Sequence, residues 1–522
     1  MAEEYKKVGS VAYREAGAEY FEKRGLRRHA GVWSLWALGV AAVISGDFSG
    51  WNFGIGLAGF GGFLVSAAFI TVMYVGLCYS IAEMSPALPH TGGAYSFGRS
   101  AMGPWGGFVT GLAENIEYVV TPAVVVFFAG SYAQPVFDEL FGINIDQPYW
   151  WAIFYVIFVG LNILGIEATM RFSVVICVLA LAILAVFYIG AITKFDGSLL
   201  FNIPEGGGAD LPNGGGPFLP FGVSGIFKAL PYAIWLYLAI EELPLAAEES
   251  MDPKKDIPRG TLLGLLTLII TGVLVTILNP GIAPGANAVG GADLAVANAP
   301  LYYGFQTIFG GGEKLAALFG LLALAGLIAS FHTIIFAYGR NIFSLSRAGY
   351  FPHWMSVTHG KRKTPWVALL LGGVVLWVLA WMLFEFGYDA AGNATGTGKA
   401  LLSMAVFGAV ISYAMQMLSF ILLRSKLPNI ARPYRSPIGQ VGAAIAGIIA
   451  IISLIAIYLD PFYRPAVWGI AGWFLLGILY FAIVGRNKLI LSPEEEFALT
   501  SGEHGHPEDE GYGKTHVADV QT

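Results

Sequence analysis

Stretches of about 20 apolar residues recur along most of this 522-residue chain, each long enough to cross a hydrocarbon layer roughly 30 Å thick. Twelve begin near residues 32, 60, 105, 149, 171, 224, 261, 315, 365, 399, 438 and 464. None has the charged outer face that an amphipathic helix needs to be soluble. Charged residues make up 12% of the chain, against about 25% in globular proteins. The reading is therefore an all-α membrane protein with twelve transmembrane helices, embedded in a lipid bilayer. Residues 1–30 are charged and polar, and the first apolar run is too long for a signal-peptide core.

Charge placement orients the chain. The connections after spans 2, 4, 6, 8 and 10 hold or adjoin Arg99, Arg171, Lys254, Lys255, Arg259, Arg340, Arg347, Lys361, Arg362, Lys363, Arg424, Lys426, Arg432 and Arg435. The opposite connections hold Lys194, Lys228, Lys314, Lys399 and Arg464. Lys and Arg accumulate on the cytoplasmic side, so both termini are expected there, with the chain spanning the cell membrane. Cys78 and Cys177 fall inside apolar runs and read as packing residues, with neither a disulfide nor a metal site expected.

The first run is interrupted by Ser45-Gly46-Asp47-Phe48-Ser49-Gly50-Trp51-Asn52. An Asp at the centre of a membrane helix costs about 2.5–3.5 kcal/mol on insertion scales, which marks it as a candidate functional residue. Glycines and small polar residues beside it let a helix unwind and offer backbone groups to a ligand. The sixth run carries its own interruption, Trp235-Leu236-Tyr237-Leu238-Ala239-Ile240-Glu241-Glu242-Leu243-Pro244. If spans 1–5 form one unit, span 6 starts on the opposite side from span 1, and the two units are inverted. Matched breaks in two inverted halves point to a binding site at mid-membrane.

The organisation that follows is a cytoplasmic segment at 1–30 and a first repeat at 31–193. An outward Gly-rich loop occupies 194–221 and a second repeat 222–424. Spans 11 and 12 fill 425–490, and 491–522 form a solvated cytoplasmic tail containing His504 and His506. A further outward loop, 280–313, is rich in Gly and Pro. Asn393-Ala394-Thr395 is a glycosylation sequon that reads as a chance occurrence.

Several segments resemble the amino acid–polyamine–organocation (APC) transporter superfamily. Glu83-Met84-Ser85-Pro86-Ala87-Leu88-Pro89-His90-Thr91-Gly92-Gly93-Ala94-Tyr95 is close to its Pro-x-x-Gly-Gly-x-Tyr loop, and Gly103-Pro104-Trp105-Gly106-Gly107-Phe108 follows. Glu248-Glu249 with Asp252-Pro253-Lys254-Lys255-Asp256-Ile257-Pro258-Arg259 looks like the close of its sixth helix. Arg340, Ser346 to Pro352 and Thr364-Pro365 look like its helix 8–9 connection. The resemblance spans about residues 31–485. It implies a five-plus-five inverted repeat with discontinuous helices 1 and 6 and a site between helices 1, 3, 6, 8 and 10. Residues 44–118, including Gly111 to Tyr118, resemble most closely the ethanolamine permease branch.

Carriers of amino acids in that superfamily usually hold the substrate carboxylate on the bare amides of a Gly-Ser/Thr-Gly break. Here the corresponding residues are Gly50-Trp51-Asn52, with Asp47 three residues earlier. An anion beside Asp47 would meet like-charge repulsion in a low-dielectric site, so the expected cargo is a small cationic amine such as ethanolamine.

In the resulting picture Asp47 and Glu117 hold the ammonium, with Gly46 and Gly50 opening the break. Trp235 or Tyr237 supplies a cation–π face, and Ser49, Tyr118 or exposed backbone recognises the hydroxyl. Each has a plainer reading: Asp47 as a helix cap, Glu117 as a structural acid, Trp235 as packing or a gate. Glu114 lies one turn from Glu117. Glu241 matches an acid common in the superfamily, and several acids in one dry cavity cannot all stay ionised. Proton coupling through Glu117 or Glu241 is one expectation. A sodium site completed by Ser330 and Thr333 is another, and exchange is a third. His332 reads as a proton carrier or, preferably, a packing group. No enzymatic motif, metal-ligand spacing, cofactor or nucleic-acid partner is indicated. A neutral amino acid, a GABA-like compound or a polyamine remains an alternative cargo, and a channel an alternative class.

Overall fold

The computed structural model describes residues 5–16, 18–88, 90–201, 216–283, 299–310, 313–387, 396–461 and 463–504. The sequon, His506 and much of both Gly/Pro-rich loops lie outside them. Besides two short helices, Ala18–Glu22 and Pro300–Phe309, the helices in chain order are α1 (Val32–Phe48), α2 (Phe53–Ala87), α3 (Ala94–Phe141), α4 (Gln147–Leu164), α5 (Ile166–Ile192) and α6 (Gly222–Ile234). They continue with α7 (Pro253–Leu278), α8 (Glu313–Arg347), α9 (Trp366–Gly387), α10 (Gly396–Lys426), α11 (Gly439–Leu459), α12 (Arg464–Ile483) and a short α13 (Pro493–Leu499). Among the described residues ten helices are long and apolar enough to cross a membrane. The other two spans are the interrupted ones.

The first interruption separates α1 from the start of α2. Gly50 turns there with φ 98°, and the chain re-enters a helix at Phe53 for less than two turns before Gly59 (φ 69°) reverses it into the second span. A side chain at Gly59 would strike the Pro220 ring at 2.3 Å. The second interruption follows Ile234, where residues 235–239 unwind and the chain continues as a 3-10 segment, Ile240–Glu249. Ala239 sits at φ 84°, a region that residues with a Cβ seldom occupy. Such breaks are tolerated at membrane depth only where protein covers them, and both are buried.

Packing follows the expected repeat. Helix α2 packs on α6 as its counterpart α7 packs on α1, and α3 packs on α10 as its counterpart α8 packs on α5. The α3–α8 contact maps onto itself. Helices α11 and α12 lie outside this core against α2 and α10. The bundle itself is built of helices alone among the described residues.

One end of the bundle departs from expectation. Residues 1–30 read as a charged lead-in and those from 491 as solvated tail, yet the two join. Strands β1 (Tyr5–Val8) and β2 (Val11–Arg14) form a hairpin, and β3 (Leu489–Ile490) adds in parallel to β2. The α13 helix that follows buries Glu494 and Glu495 completely. The physical reason is a ready set of donors: the hydroxyls of Tyr13, Tyr95 and Tyr350 and the Arg99 guanidinium all donate to Glu495. Glu494 accepts from Arg347.

Candidate functional site at the two helix breaks

The last turn of α1 meets the second interruption backbone to backbone. A Cβ at Gly46 would lie 2.1 Å from the Trp235 carbonyl oxygen, and one at Gly50 would lie 2.4 Å from the Trp235 indole nitrogen. Only glycine permits that approach. The Gly50 N–H, which a carboxylate-binding break would present to its ligand, donates instead to Asn52 Oδ1 at 3.0 Å. Trp51 is fully buried, its ring 5.8 Å from that of Phe63. Tyr132 donates its hydroxyl to the Phe48 carbonyl at 3.2 Å, closing the end of α1. Ser49 is buried in the same turn.

Asp47 is buried, and neither carboxylate oxygen has a hydrogen-bond partner. It faces Thr271 and Gly272 of α7; a Cβ on Gly272 would stand 3.9 Å from Asp47 Oδ1. Tyr188 of α5 closes this side, donating to the Thr271 carbonyl at 2.9 Å.

A second group gathers on α3, α10 and the 3-10 segment. Tyr413 donates to Glu117 Oε1 at 3.2 Å and accepts from Tyr74 at 3.0 Å. The Tyr74 ring packs on Tyr237 with centroids 5.1 Å apart, and the Tyr237 hydroxyl shares a 2.7 Å hydrogen bond with Thr71. Glu241 neighbours Glu117, and both of its oxygens lack hydrogen-bond partners. Glu242, also fully buried, lacks them too. Glu114 is satisfied, accepting from Asn341 at 3.1 Å and from Tyr118 at 3.4 Å.

The sequence-predicted residues are thus distributed over two adjoining centres. Gly46, Gly50 and Trp235 form the contact between the two interrupted spans, with Asp47 turned to α7 and Ser49 buried in the turn, while Glu114, Glu117 and Tyr118 of α3 gather with Glu241 of the 3-10 segment. Tyr237 follows Trp235 in the sixth break and joins the second group through Tyr74. Ser330 donates to the Ala42 carbonyl at 2.5 Å and accepts from Ser45 at 2.9 Å, which places α8 directly on α1. Thr333 turns back on its own helix, donating to the carbonyls of Ala329 and Ser330. His332 lies against α4 and α5, its Nδ1 3.2 Å from Asn162 Nδ2 and its ring 4.8 Å from Phe172.

Tyr74, Thr271, Tyr413 and Glu242 escaped sequence reasoning. A hydroxyl or acid inside an apolar run is the signal that flags them. For Tyr413 it was present in Ser412-Tyr413 with Gln416 one turn on.

Comparison with known proteins bears on the whole of this architecture. The chain is 25% identical to an uncharacterised transporter of Rhizobium meliloti over 83% of its own length and 87% of that protein's. It is 24% identical to a branched-chain amino acid permease of Bacillus subtilis, covering 89% and 94% of the two chains. A methylthioribose transporter of the same organism matches at 24% over 90% and 96%. Residues 35–490, which contain both breaks and run from the first turn of α1 past the end of α12, match the family model for amino acid permeases. The chain belongs to the amino acid permease family.

Proposed function

We propose that this family member is a secondary transporter for a small organic cation without a carboxylate, with ethanolamine as the foremost cargo. It works by alternating access, in the cell membrane with both termini in the cytoplasm. The observation that carries the reading is a buried excess of negative charge. Asp47, Glu117 and Glu241 surround the two breaks, and among the described residues none forms an ion pair. Burying an unpaired carboxylate costs several kcal/mol, so a cation or a proton completes this site. An ammonium brings three donors and no acceptor, which suits the bare oxygens of Asp47. The Trp235 or Tyr237 ring supplies a cation–π face, and Ser49, Tyr118 or unwound backbone receives the hydroxyl.

The engagement of the Gly50 amide by Asn52 supports a cargo without a carboxylate. Glu117 and Glu241, held together with Tyr413 and Tyr74, are the proposed proton carriers. Ser330 on the α1 carbonyls keeps sodium coupling as the variant reading.

Thermal stabilisation of the purified transporter by ethanolamine, choline, alanine, GABA and putrescine tests the cargo. Ethanolamine is expected to raise the melting temperature while alanine leaves it unchanged. Equal stabilisation by alanine overturns the reading in favour of an amino acid. Saturable uptake with substrate-driven counterflow separates a carrier from a channel.

A further inference from the structure

Far from the breaks, a pocket of about 290 Å³ opens at the end of the bundle that carries both termini. Three separate parts of the chain build it: Arg27 and His29 before α1, the α4–α5 corner at Gly165, and Lys361 with Arg362 in the α8–α9 connection. Arg171 and Glu167 complete the lining. Four permanent cations therefore face one carboxylate, in a chain whose net charge is −6. Glu167 engages Arg171 at 2.6 Å. Arg27, Lys361 and Arg362 form no ion pair with the described residues.

The position of this pocket identifies its ligand. Arg171 is 75% exposed and stands on the outer stripe of α5, above Val175 and Val178, which are themselves more than half exposed. That stripe faces lipid. An arginine at its end reaches to the level of the headgroups while its stem lies along acyl chains. The opposite wall is fixed by the Thr364 hydroxyl, which donates to the Ile163 carbonyl at 3.0 Å. Two residues on, Trp366 is exposed at the start of α9, as tryptophans at a membrane boundary are. A soluble anion would need only the cations. This site adds Leu164, Ile166 and Ala168 to its lining, with Leu164 exposed at the corner.

We infer that the basic pocket at the α4–α5 corner binds the phosphodiester headgroup of an anionic phospholipid, whose acyl chains lie along α5 and α9. The lipid ties the segment before α1 to the α8–α9 connection by neutralising cations that would otherwise repel each other. The inference is independent of the cargo.

The test uses the full chain in detergent, stripped of lipid and titrated with phosphatidylglycerol, phosphatidylcholine or inorganic phosphate. Binding is read by native mass spectrometry and by melting temperature. Phosphatidylglycerol is expected to bind as a discrete adduct and raise the melting temperature, with the other two doing neither. The triple variant Arg27→Gln/Lys361→Gln/Arg362→Gln should bind it on the order of 100-fold more weakly, taking a factor of about five per cation at an anionic surface. A control triple variant on the same end, Arg259→Gln/Arg486→Gln/Lys488→Gln, should bind like wild type. Equal binding of phosphatidylcholine overturns the inference, as does full binding by the pocket variant or equal loss in the control. An inorganic phosphate effect matching that of the lipid assigns the pocket to a soluble anion and equally overturns it. If the triple variant does not fold, the single Lys361→Gln change, with about a fivefold loss, carries the same readout.

Discussion

Glu83, Glu248, Glu249, Glu494 and Glu495 are as deeply buried as Asp47, Glu117 and Glu241. At the end of the bundle that carries the termini, each acid of the first set meets arginine. Arg424 grips Glu83 through two hydrogen bonds of 2.9 and 2.6 Å, Arg340 does the same to Glu249, and Arg347 serves both Glu248 and Glu494. Around the two breaks the second set meets no arginine: Glu117 accepts from Tyr413 and neighbours Glu241, and the oxygens of Asp47 and Glu241 have no hydrogen-bond partner. Burial alone therefore says little about role, whereas the partner says a great deal. A paired charge in a dry environment holds elements in one arrangement. An unpaired one is tolerated where a cation or proton arrives during function. The two regions should respond oppositely to loss of charge.

The largest expected effect comes from Asp47→Asn. The amide keeps the shape and removes the charge, so uptake of the amine should fall at least about 100-fold, the scale of a lost charge-assisted contact of roughly 3 kcal/mol. The melting temperature should hold or rise, because no partner is left behind. Radiolabelled uptake in proteoliposomes beside a thermal unfolding curve checks both halves. Wild-type uptake by this variant would remove Asp47 from the site.

Glu495→Ala should invert the pattern. Arg99 and three tyrosine hydroxyls lose their common acceptor, and breaking such a buried pair costs about 3–5 kcal/mol. The expected result is a strongly lowered melting temperature and rapid proteolysis of the β1–β2 hairpin. Substrate KM should stay unchanged in whatever protein folds, since the change is remote from the breaks. A shift in KM without a loss of stability would erase the distinction between the two regions.

The two breaks were legible in the sequence and the contacts of the terminal end were not. Apolar length marked the spans, and the Ser45–Asn52 and Trp235–Pro244 interruptions marked the breaks, because Gly, Pro and charge are conspicuous within an apolar run. The pairing of Tyr13, Tyr95, Arg99 and Tyr350 around Glu495 joins residues up to 482 positions apart. Composition carries no trace of such closure. An acidic tail segment, Ser492-Pro493-Glu494-Glu495-Glu496, reads as solvated unless its donors are known in advance. For the same reason the sequence names Asp47 and Glu117 but not the helices each faces, since facing depends on rotation about the helix axis. Tyr413 and Thr271 were hidden by that same ambiguity.

Gly46→Ala tests the contact between the breaks with a smaller effect. The added methyl carbon would meet the Trp235 carbonyl oxygen at 2.1 Å, and a backbone atom cannot swing aside as a side chain can. Overpacking of this kind costs about 1–3 kcal/mol. A lowered melting temperature and reduced uptake are both expected, which separates Gly46 from Asp47, where only uptake suffers. An alanine variant with normal stability and normal transport would mean that the two breaks do not touch during the cycle.

The smallest effect is the response of the terminal latch to acid. Burial pushes the Glu494 carboxyl up, but the Arg347 guanidinium and His90 outweigh it, holding the group below its ordinary value of 4.5. A carboxyl depressed on docking contributes stability that is fully present above its undocked value and is lost as pH falls through its docked value. Amide exchange across Pro493–Leu499 should therefore be flat in protection from neutral pH down to about 5, after allowing for the intrinsic rate. Protection should fall only below the ordinary glutamate range. In Glu494→Gln the acid step should disappear and exchange at neutral pH should already be faster, because Arg347 loses the charge of that carboxylate. A loss of protection near pH 6 in the wild type would instead point to a histidine, with His90 the first to replace, and would detach the latch from the carboxylate that defines it here.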